Sequence, residues 1–296
     1  MRISLGPNLY FWPREQVEAF YARVASMPVD VVYLGETVCS KRRPYGLEEW
    51  LDIARALRAA GKEVVLSTLT LIEARSELGV VKRLCQNGEF MVEANDFGAV
   101  RLLAERRVPF ATGPNINIYN PQALRRLVSL GLRRWAVPVE ISRDALRRLL
   151  QEAGAQGLLD GVETEVYSYG RLPLAYSARC FTARAHNLPK DNCQLKCRDY
   201  PEGLAVRTQE GSDFLTANGI QTQSGLVQNL LPHWRDMQEL GVSLMRISPR
   251  PQHTDAVVRR LRALLDGAEP NAEFDEPTCD GFWRGAPGMS RLAIGA

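Results

Sequence analysis

The sequence predicts an α/β protein, a TIM-barrel-like (β/α)8 barrel or a distorted relative of it, with a cysteine-bearing insertion after the seventh strand. Eight short apolar runs alternate with amphipathic runs, the pattern of parallel strands joined by right-handed crossovers. A length of 296 residues suits a single barrel. An open doubly wound sheet is the alternative, but no glycine-rich fingerprint follows the first strand to support it.

The first five strand–helix units occupy residues 3–130. Their strands are short runs rich in β-branched, aromatic and other apolar residues: 3–5, 30–34, 62–68, 90–93 and 109–112. Their helices have amphipathic patterns: 13–27, 47–60, 71–85, 96–106 and 121–130. Pro13 suits a first helical turn, and Gly61 follows the second helix at a position where helices commonly end.

The last three units are less regular. Pro138 interrupts a sixth strand at 135–138, and Ser142 caps a helix that runs to about residue 153. The remaining elements follow in order: a seventh strand at 162–167, an insertion at 169–220 with a hairpin at 204–220, a helical pattern at 225–240, an eighth strand at 244–247 and a helix at 254–265. The tail at 270–296 is rich in Gly, Pro and acidic residues and reads as an irregular arm. We therefore expect one domain over residues 1–296.

Composition indicates a soluble globular protein, with 45% hydrophobic and 24% charged residues and a net charge of +3. The N-terminus lacks the apolar core of a signal peptide, and no segment approaches the roughly 20 apolar residues of a membrane span. We therefore predict a cytoplasmic protein whose cysteines are ligands, catalysts or buried thiols rather than disulfides. Basic runs such as residues 41–43 do not favour nucleic-acid binding over a solvated surface.

Residues 169–200 concentrate cysteines in a polar, proline-containing segment unlike the apolar strands around it. A loop of this length inside a compact domain needs something other than a hydrophobic core to order it, and thiolates converging on a metal are one such means. Loops that follow barrel strands share one face, so Cys39, after the second strand, can meet this segment. The predicted metal ligands are Cys39, Cys180, Cys193 and Cys197.

Four thiolates from two distant loops suit either a [4Fe-4S] cluster or a zinc ion. The spacing is one isolated cysteine and then C-x12-C-x3-C, which lacks the C-x2-C knuckles of a zinc ribbon and favours the cluster. Zinc and unrelated thiols remain open. The same segment contains five cations: Arg179, Arg184, Lys190, Lys196 and Arg198. They would stabilise a negatively charged cluster, but they are equally consistent with a solvated loop surface.

The predicted strand ends form a polar rim where a barrel collects its reactive side chains. Its members are Glu36, Ser67, Thr68, Glu93, Asn95, Asn115, Asn117, Glu140, Tyr167, Tyr169, Arg246 and Ser248. Glu36, Glu93, Glu140 or Glu165 could perform acid–base work, although a strand-end carboxylate paired with an arginine is also an ordinary structural feature. The histidines His186, His233 and His253 form no hydrolase motif, and Cys85 and Cys279 read as buried thiols. No catalytic residue is assigned.

The stretch YSYGRLPLAYSARC, residues 167–180, resembles the signature of the peptidase U32 family. The resemblance extends to VVYLGE at 31–36, to Cys39 with the basic residues after it, and to 67–69, and it covers nearly the whole chain. A peptidase activity is not expected, because no nucleophile constellation stands out.

The resemblance is to the branch of the family that serves ubiquinone biosynthesis. It implies a heterodimer with a UbiU-like sister subunit, oxygen-independent hydroxylation of the ubiquinone ring with prephenate as oxygen donor, and a [4Fe-4S] cluster on Cys39, Cys180, Cys193 and Cys197. An apolar ubiquinone precursor would need delivery from the membrane or by a lipid-carrier protein. Two alternatives are RNA base hydroxylation, as in sister members of the family, and a noncatalytic, metal-stabilised scaffold.

Overall fold

The structure, a computed structural model, describes residues 1–42, 45–268 and 276–290. Its strands in these residues are β1 (Arg2–Leu5), β2 (Val31–Leu34), β3 (Glu63–Ser67), β4 (Met91–Ala94), β5 (Phe110–Thr112), β6 (Leu132–Ala136), β7 (Glu163–Tyr176), β8 (Leu204–Arg207), β9 (Asp213–Asn218), β10 (Gln221–Asn229), β11 (Leu244–Ile247) and β12 (Thr278–Cys279). Its α-helices are α1 (Arg14–Val24), α2 (Leu47–Ala59), α3 (Arg75–Cys85), α4 (Phe97–Glu105), α5 (Pro121–Ser129), α6 (Arg143–Gly154), α7 (Phe181–Ala185), α8 (Trp234–Glu239) and α9 (Thr254–Leu265).

Strands β1 to β7 and β11 close into a parallel barrel. Each of β1 to β6 pairs in parallel with the next, and β11 pairs in parallel with both β7 and β1. The prediction of a (β/α)8 barrel is confirmed. Helix starts follow local chemistry: Asp96 accepts a hydrogen bond from the Gly98 N–H at 2.6 Å, and Ser142 accepts one from the Ala145 N–H at 3.3 Å.

Strand β7 is longer than predicted and continues past the barrel, where it pairs antiparallel with β10. The hairpin predicted at 204–220 is confirmed, because β8, β9 and β10 form an antiparallel meander with a turn at 219–220. The helical pattern predicted at 225–240 is wrong over its first half. Residues 221–229 hydrogen-bond to strands on both sides, and this pairing overrides the apparent helical period, so that only the short α8 follows.

Part of the predicted arm at 270–296 lies outside the described residues, namely 270–275 and 291–296. Within 276–290, the short β12 pairs in parallel with β10 and the rest is turns. Cys279 is buried there, and the Trp283 carbonyl accepts a hydrogen bond from the N–H of Arg143 at 2.8 Å. The described portion of the tail is therefore attached to both the meander and α6.

The apolar core lies between the barrel wall and the outer helices, and it contains side chains from both, such as Ile3, Phe20, Val92, Leu103 and Leu261. Such an arrangement is expected when parallel strands bury both faces. Among the described residues, no helix combines the length and apolar composition needed to cross a bilayer.

The barrel interior, by contrast, contains many charged groups. Near the N-terminal ends of the strands, the Arg134 side chain is 2% exposed and pairs with Glu63 at 2.7 Å and Glu163 at 2.6 Å. Arg2 contacts the same two carboxylates. The buried Arg134 charge thus has two partners of opposite sign, which offset the cost of removing it from water.

Candidate functional site

The loop after β2 and the segment after β7 meet at the C-terminal face of the barrel. Cys39 and Cys180 both pack against one small apolar cluster formed by Leu9, Val38 and Ile220. Ile220 belongs to the turn between β9 and β10, so the meander reaches across the barrel face toward the loops after β1 and β2. Two predicted ligands that are distant in sequence are therefore neighbours in space.

The other two predicted ligands, Cys193 and Cys197, are near enough to influence these thiols electrostatically. Burial raises the pKa of the Cys180 thiol, and the negative charges of Cys197 and Cys193 act in the same direction. Burial also raises the pKa of the Cys39 thiol, with Glu36 and Cys197 again adding to the effect. Cys197 therefore interacts with both Cys39 and Cys180. All four thiols are free and half-buried.

The loop between Cys193 and Cys197 is held in an uncommon backbone conformation. Gln194 and Leu195 are both left-handed, with φ of 49° and 53°. For residues with a Cβ this region costs roughly 1–2 kcal/mol each, so two in succession must be held by surrounding contacts. Short 3-10 turns flank the pair, at Lys190–Asn192 and Lys196–Asp199, and the Lys41 Nζ donates to the Lys190 carbonyl at 2.7 Å.

Arg42 is a buried cation near Cys39, Cys180 and Cys197. In the sequence it was noted only as part of a basic run. Arg42 is 1% exposed, and its guanidinium donates hydrogen bonds to the Leu9 carbonyl at 2.8 Å and to the Asn218 Oδ1 at 2.7 Å. Burial lowers the pKa of Arg42, but the negative charges of Glu36, Cys197 and Cys39 outweigh burial and raise that pKa above its usual value. Its Nε has no hydrogen-bond partner among the described residues.

These features bear on whether the site could hold a metal. Thiols are the ligands that iron–sulfur clusters and structural zinc use, and a buried guanidinium would offset the charge of a thiolate-bound centre. Within the described residues, no group of three or more Cys, His, Asp or Glu side chains has the arrangement of a formed metal site. The donor chemistry and the adjacent cation therefore fit a four-thiolate centre, while the side chains do not form a ready-made ligand cage.

The cations predicted to surround the cysteines are mostly engaged at the surface. Lys190 contacts Glu73, and Lys196 pairs with Asp199 at 3.4 Å. The Arg198 guanidinium lies 4.9 Å from the centre of the Phe11 ring, while Arg179 and Arg184 are exposed. Arg42, rather than any of these, is the cation buried against the thiols. Arg43, the last residue of the same basic run, lies outside the described residues.

Beside the thiols, the barrel mouth encloses a small polar cavity of about 20 Å³. Six residues of the predicted rim line it: Glu93, Asn95, Asn115, Tyr167, Arg246 and Ser248. Thr37, Thr70 and Tyr176 also line it and were not anticipated. Leu9 and Tyr176 contact both this cavity and the small apolar cluster under Cys39 and Cys180, so the cavity and the thiols adjoin.

A buried charge network forms the floor of this cavity. Arg246 donates to both oxygens of Glu165, at 3.0 and 2.8 Å, and pairs with Glu93 Oε1 at 2.7 Å. Burial would raise the pKa of Glu165, but Arg246 outweighs it and holds that pKa below its usual value. The Tyr33 hydroxyl donates to Glu165 at 2.6 Å, and the Ser67 hydroxyl donates to Glu93 at 2.7 Å.

The remaining predicted residues lie elsewhere. Glu36, Ser67 and Thr68 line a separate pocket beside α2 and α3, and burial raises the pKa of Glu36. Glu140 is exposed, Asn117 faces outward between α4 and α5, and Tyr169 donates to Glu276 at 2.7 Å. Cys85 and Cys279 are confirmed as buried thiols, and burial raises their pKa values to about 12 and about 11.

The three histidines lie at different places in the structure, at the end of α7 and at the starts of α8 and α9. His186 Nε2 lies 2.9 Å from the Tyr200 hydroxyl, and His233 Nε2 lies 2.9 Å from Asp280 Oδ2. His253 precedes α9 in a left-handed conformation. In the part of the chain that the structure describes, neither of these two contacts is to a serine or cysteine nucleophile.

Comparison with known proteins gives one family match and several weak structural likenesses. The model of peptidase family U32 matches residues 15–280. The U32 peptidase Mk0906 is 14% identical, with 84% of this chain and 93% of that chain covered and a TM-score of 0.44. Tryptophan synthase from M. tuberculosis is 13% identical, with 89% of each chain covered and a TM-score of 0.44.

Plasmodium falciparum HPPK-DHPS is 14% identical over 90% of this chain, with a TM-score of 0.44. This chain spans 47% of the length of that protein. The barrel assignment depends on the strand order described above rather than on these TM-scores.

Proposed function

The chain belongs to peptidase family U32, and from that premise we propose that it is the iron–sulfur subunit of a cytoplasmic heterodimer that hydroxylates the ubiquinone ring without oxygen. In this proposal it is similar to the ubiquinone biosynthesis protein UbiV, its partner is a UbiU-like sister subunit, and prephenate is the oxygen donor. The substrate is an apolar ubiquinone precursor, delivered from the membrane or by a lipid-carrier protein.

The observation that carries the proposal is the shared boundary between two of the four thiols, those of Cys39 and Cys180, and the barrel mouth. Tyr176 packs against the apolar cluster that also contacts Cys39 and Cys180, and the same side chain lines the mouth cavity. In barrels the mouth is where substrates bind. A redox centre at the thiols would therefore lie beside the end of the barrel where substrates of this fold bind, which supports a role in redox chemistry at that end.

A [4Fe-4S] cluster bound there would supply one-electron transfer. Residues of this chain would control the charge and the access of water around that cluster. Arg42 offsets negative charge at the thiols, and Leu9 and Val38 exclude water from one side of them. At the mouth, the Asn95 amide donates to the Thr68 carbonyl and the Tyr167 hydroxyl donates to the Arg171 carbonyl, so both side chains are held in place at the cavity that Asn115 also lines.

The test is anaerobic purification of the heterodimer, with iron and sulfide analysis and an absorption spectrum. We expect about four iron and four sulfide per chain in wild type, lost in Cys193→Ala. The matched control is Cys85→Ala, since Cys85 is a buried thiol at the end of α3, and this variant should keep its metal. A protein that contains zinc in place of iron, or no metal at all, would contradict the proposed redox mechanism.

Activity is tested in cells grown without oxygen. Cys180→Ala should abolish anaerobic ubiquinone, and an unchanged ubiquinone content would contradict the proposal. The scaffold alternative predicts that a variant without metal also loses its fold or its partner. A Cys193→Ala protein that lacks metal yet still folds and binds its partner would therefore exclude the scaffold role.

RNA base hydroxylation is less well supported by the same residues. The basic run at 41–43 would have to contact RNA, but Arg42 is buried and Lys41 donates to the Lys190 carbonyl. These two cations hold the loop of Cys39 in place. If a deletion strain keeps its normal RNA modifications, RNA base hydroxylation is excluded and the main proposal is retained.

A further inference from the structure

Two of the four thiols lie in a stretch of chain that has no apolar core of its own. We call residues 184–203, which contain Cys193 and Cys197, the thiol limb. The structure describes every residue from 184 to 215, and none of these residues is buried. A segment with few buried apolar contacts opens at low cost unless specific contacts hold it down. The contacts at the two ends of the limb therefore decide how firmly its thiols are held.

The end of the limb before Cys193 is held by lysines near the surface. Lys190 contacts Glu73 and donates to the Ala178 carbonyl at 2.8 Å, and the Lys41 Nζ donates to the Lys190 carbonyl at 2.7 Å. The side chains of Lys190 and Glu73 are 23% and 30% exposed. Water and salt can therefore weaken the ion pair at this end.

The end of the limb after Cys197 is attached by an arginine that is more deeply buried. In the loop after β11, the Arg250 Nε donates to Glu202 Oε1 at 3.1 Å, and the Arg250 Nη2 donates to Glu202 Oε2 at 3.3 Å. The Arg250 side chain is 6% exposed and that of Glu202 is 36% exposed. Charge-assisted hydrogen bonds to both carboxylate oxygens fix orientation as well as distance. Arg250 therefore holds Glu202 in one position.

Arg250 is itself fixed to the rest of the molecule. Its N–H donates to Thr254 Oγ1 at 2.9 Å, and the Thr254 hydroxyl donates to the Arg250 carbonyl at 2.8 Å, at the start of α9. The Arg250 Nη1 donates to Glu276 at 2.5 Å, and Glu276 also accepts from the Tyr169 hydroxyl of β7. One side chain thus joins the limb to α9, to the tail and to a barrel strand.

The chain between Cys197 and Glu202 is short and compact. It contains a 3-10 turn, and the Tyr200 N–H donates to the Cys197 carbonyl at 3.3 Å. The Trp12 Nε1 donates to the Pro201 carbonyl at 3.1 Å, which adds a contact with the loop after β1. A displacement of Glu202 would therefore be passed on to the thiol five residues earlier.

We propose that Arg250 is a positioning residue for the four-thiolate centre, because its ion pair with Glu202 holds the thiol limb against the barrel. The inference rests on the proposed function for the identity of the metal centre. Opening of the limb would withdraw Cys193 and Cys197 in one movement, so the strength of the ion pair controls how fast a bound centre is lost. The pair has little effect on the stability of the barrel, because no residue of the limb belongs to the main apolar core.

The first measurement is the rate of iron loss from the anaerobically purified heterodimer after addition of excess chelator. Glu202→Gln keeps the shape of the side chain but removes its charge, and it should speed iron loss by about tenfold. The matched control is Asp213→Asn, which breaks an exposed pair with Arg207 in the adjacent hairpin and should leave the rate unchanged. The urea midpoint should stay close to that of wild type in both variants. Equal rates of iron loss in wild type and Glu202→Gln would overturn the proposal.

A double-variant cycle tests whether the two residues act as a pair. Arg250→Gln should speed iron loss at least as much as Glu202→Gln does. The variant with both substitutions should lose iron no faster than Arg250→Gln alone, because the same interaction is already broken. Effects of the two substitutions that multiply would contradict a shared role.

Hydrogen exchange on the metal-free protein separates this inference from the proposed function, because it needs no bound iron. The amides of the thiol limb should exchange faster in Glu202→Gln than in wild type, whereas those of α9 and the barrel strands should not change. Faster exchange in the limb, in a protein whose wild type never binds iron, would refute the proposed function and support the role of Arg250. Normal iron content with unchanged iron loss and unchanged exchange in Glu202→Gln would refute the role of Arg250 alone.

Discussion

Replacement of Arg246 by methionine should strongly destabilise the protein and reverse the pH dependence contributed by Glu165. The Arg246 side chain is 3% exposed, and its partners Glu165 and Glu93 are 0% and 1% exposed. Removal of one partner from a buried ion pair costs about 3–5 kcal/mol, because the remaining charge stays buried without compensation. We therefore expect the urea midpoint to fall by about 1 M or more at pH 7.

The sign of the pH effect follows from the pKa of Glu165. In wild type this pKa lies below its usual value, because Arg246 outweighs burial. The carboxylate therefore stabilises the fold above its unfolded pKa of about 4.3, and that stability is lost as the pH falls through the folded pKa. Without Arg246, burial raises the folded pKa. Glu165 then contributes stability below its unfolded pKa, and that contribution is lost as the pH rises.

The assay is urea unfolding at pH 5 and pH 7, followed by circular dichroism. Relative to wild type, Arg246→Met should be less destabilised at pH 5 than at pH 7. Adding Glu165→Gln should recover part of the loss at pH 7, since it removes one uncompensated charge. Arg259→Met breaks only an exposed pair with Asp255 and should leave the midpoint close to that of wild type. An unchanged midpoint in Arg246→Met, or equal destabilisation at both pH values, would refute this reasoning.

Three further predictions concern the thiols and the helices. Arg42→Gln should lower the reduction potential of a bound cluster, because it removes a buried positive charge beside Cys39 and Cys197, and an anaerobic redox titration would measure the shift. Gly219→Ala should cost roughly 1–2 kcal/mol in urea unfolding, since φ is +68° and a Cβ would lie 2.9 Å from the Arg42 Nη2; a stable variant would contradict the close approach. Asp96→Ala should lower the free energy of unfolding by about 1 kcal/mol through loss of the α4 N-cap, whereas Asp52→Ala on exposed α2 should change it little.

The fold was predictable because a barrel repeats one local signal. Each strand is a short apolar run bounded by a turn, and each helix shows its own period, so the order of elements can be read without long-range information. The prediction failed at 225–240 because the pairing of β10 with β7 and β9 is a long-range property. The length of strand β7 was underestimated for the same reason, since its second half pairs with β10 and not with a strand of the barrel.

The candidate site was predictable only in part. The rule that barrel loops share one face brought Cys39 to the segment that contains Cys180, and the structure places both on the same apolar cluster. The burial of Arg42 and Arg134 was not predictable, because their partners lie far away in sequence: Asn218 for the first, and Glu63 for the second. A run of basic residues gives no local signal that one of its members is buried.

The position of β11 determines when the barrel can be completed during synthesis. Strands β1 to β7 emerge from the ribosome first, followed by the segment with the thiols and the meander, and β11 emerges after them. Until then, β7 and β1 lack the strand that joins them, and Glu165 and Glu93 lack Arg246. One late element thus closes the hydrogen-bonded ring and neutralises its interior in the same step. A nascent chain that ends before residue 244 has neither the closing strand nor Arg246, which makes closure a late, long-range event in folding.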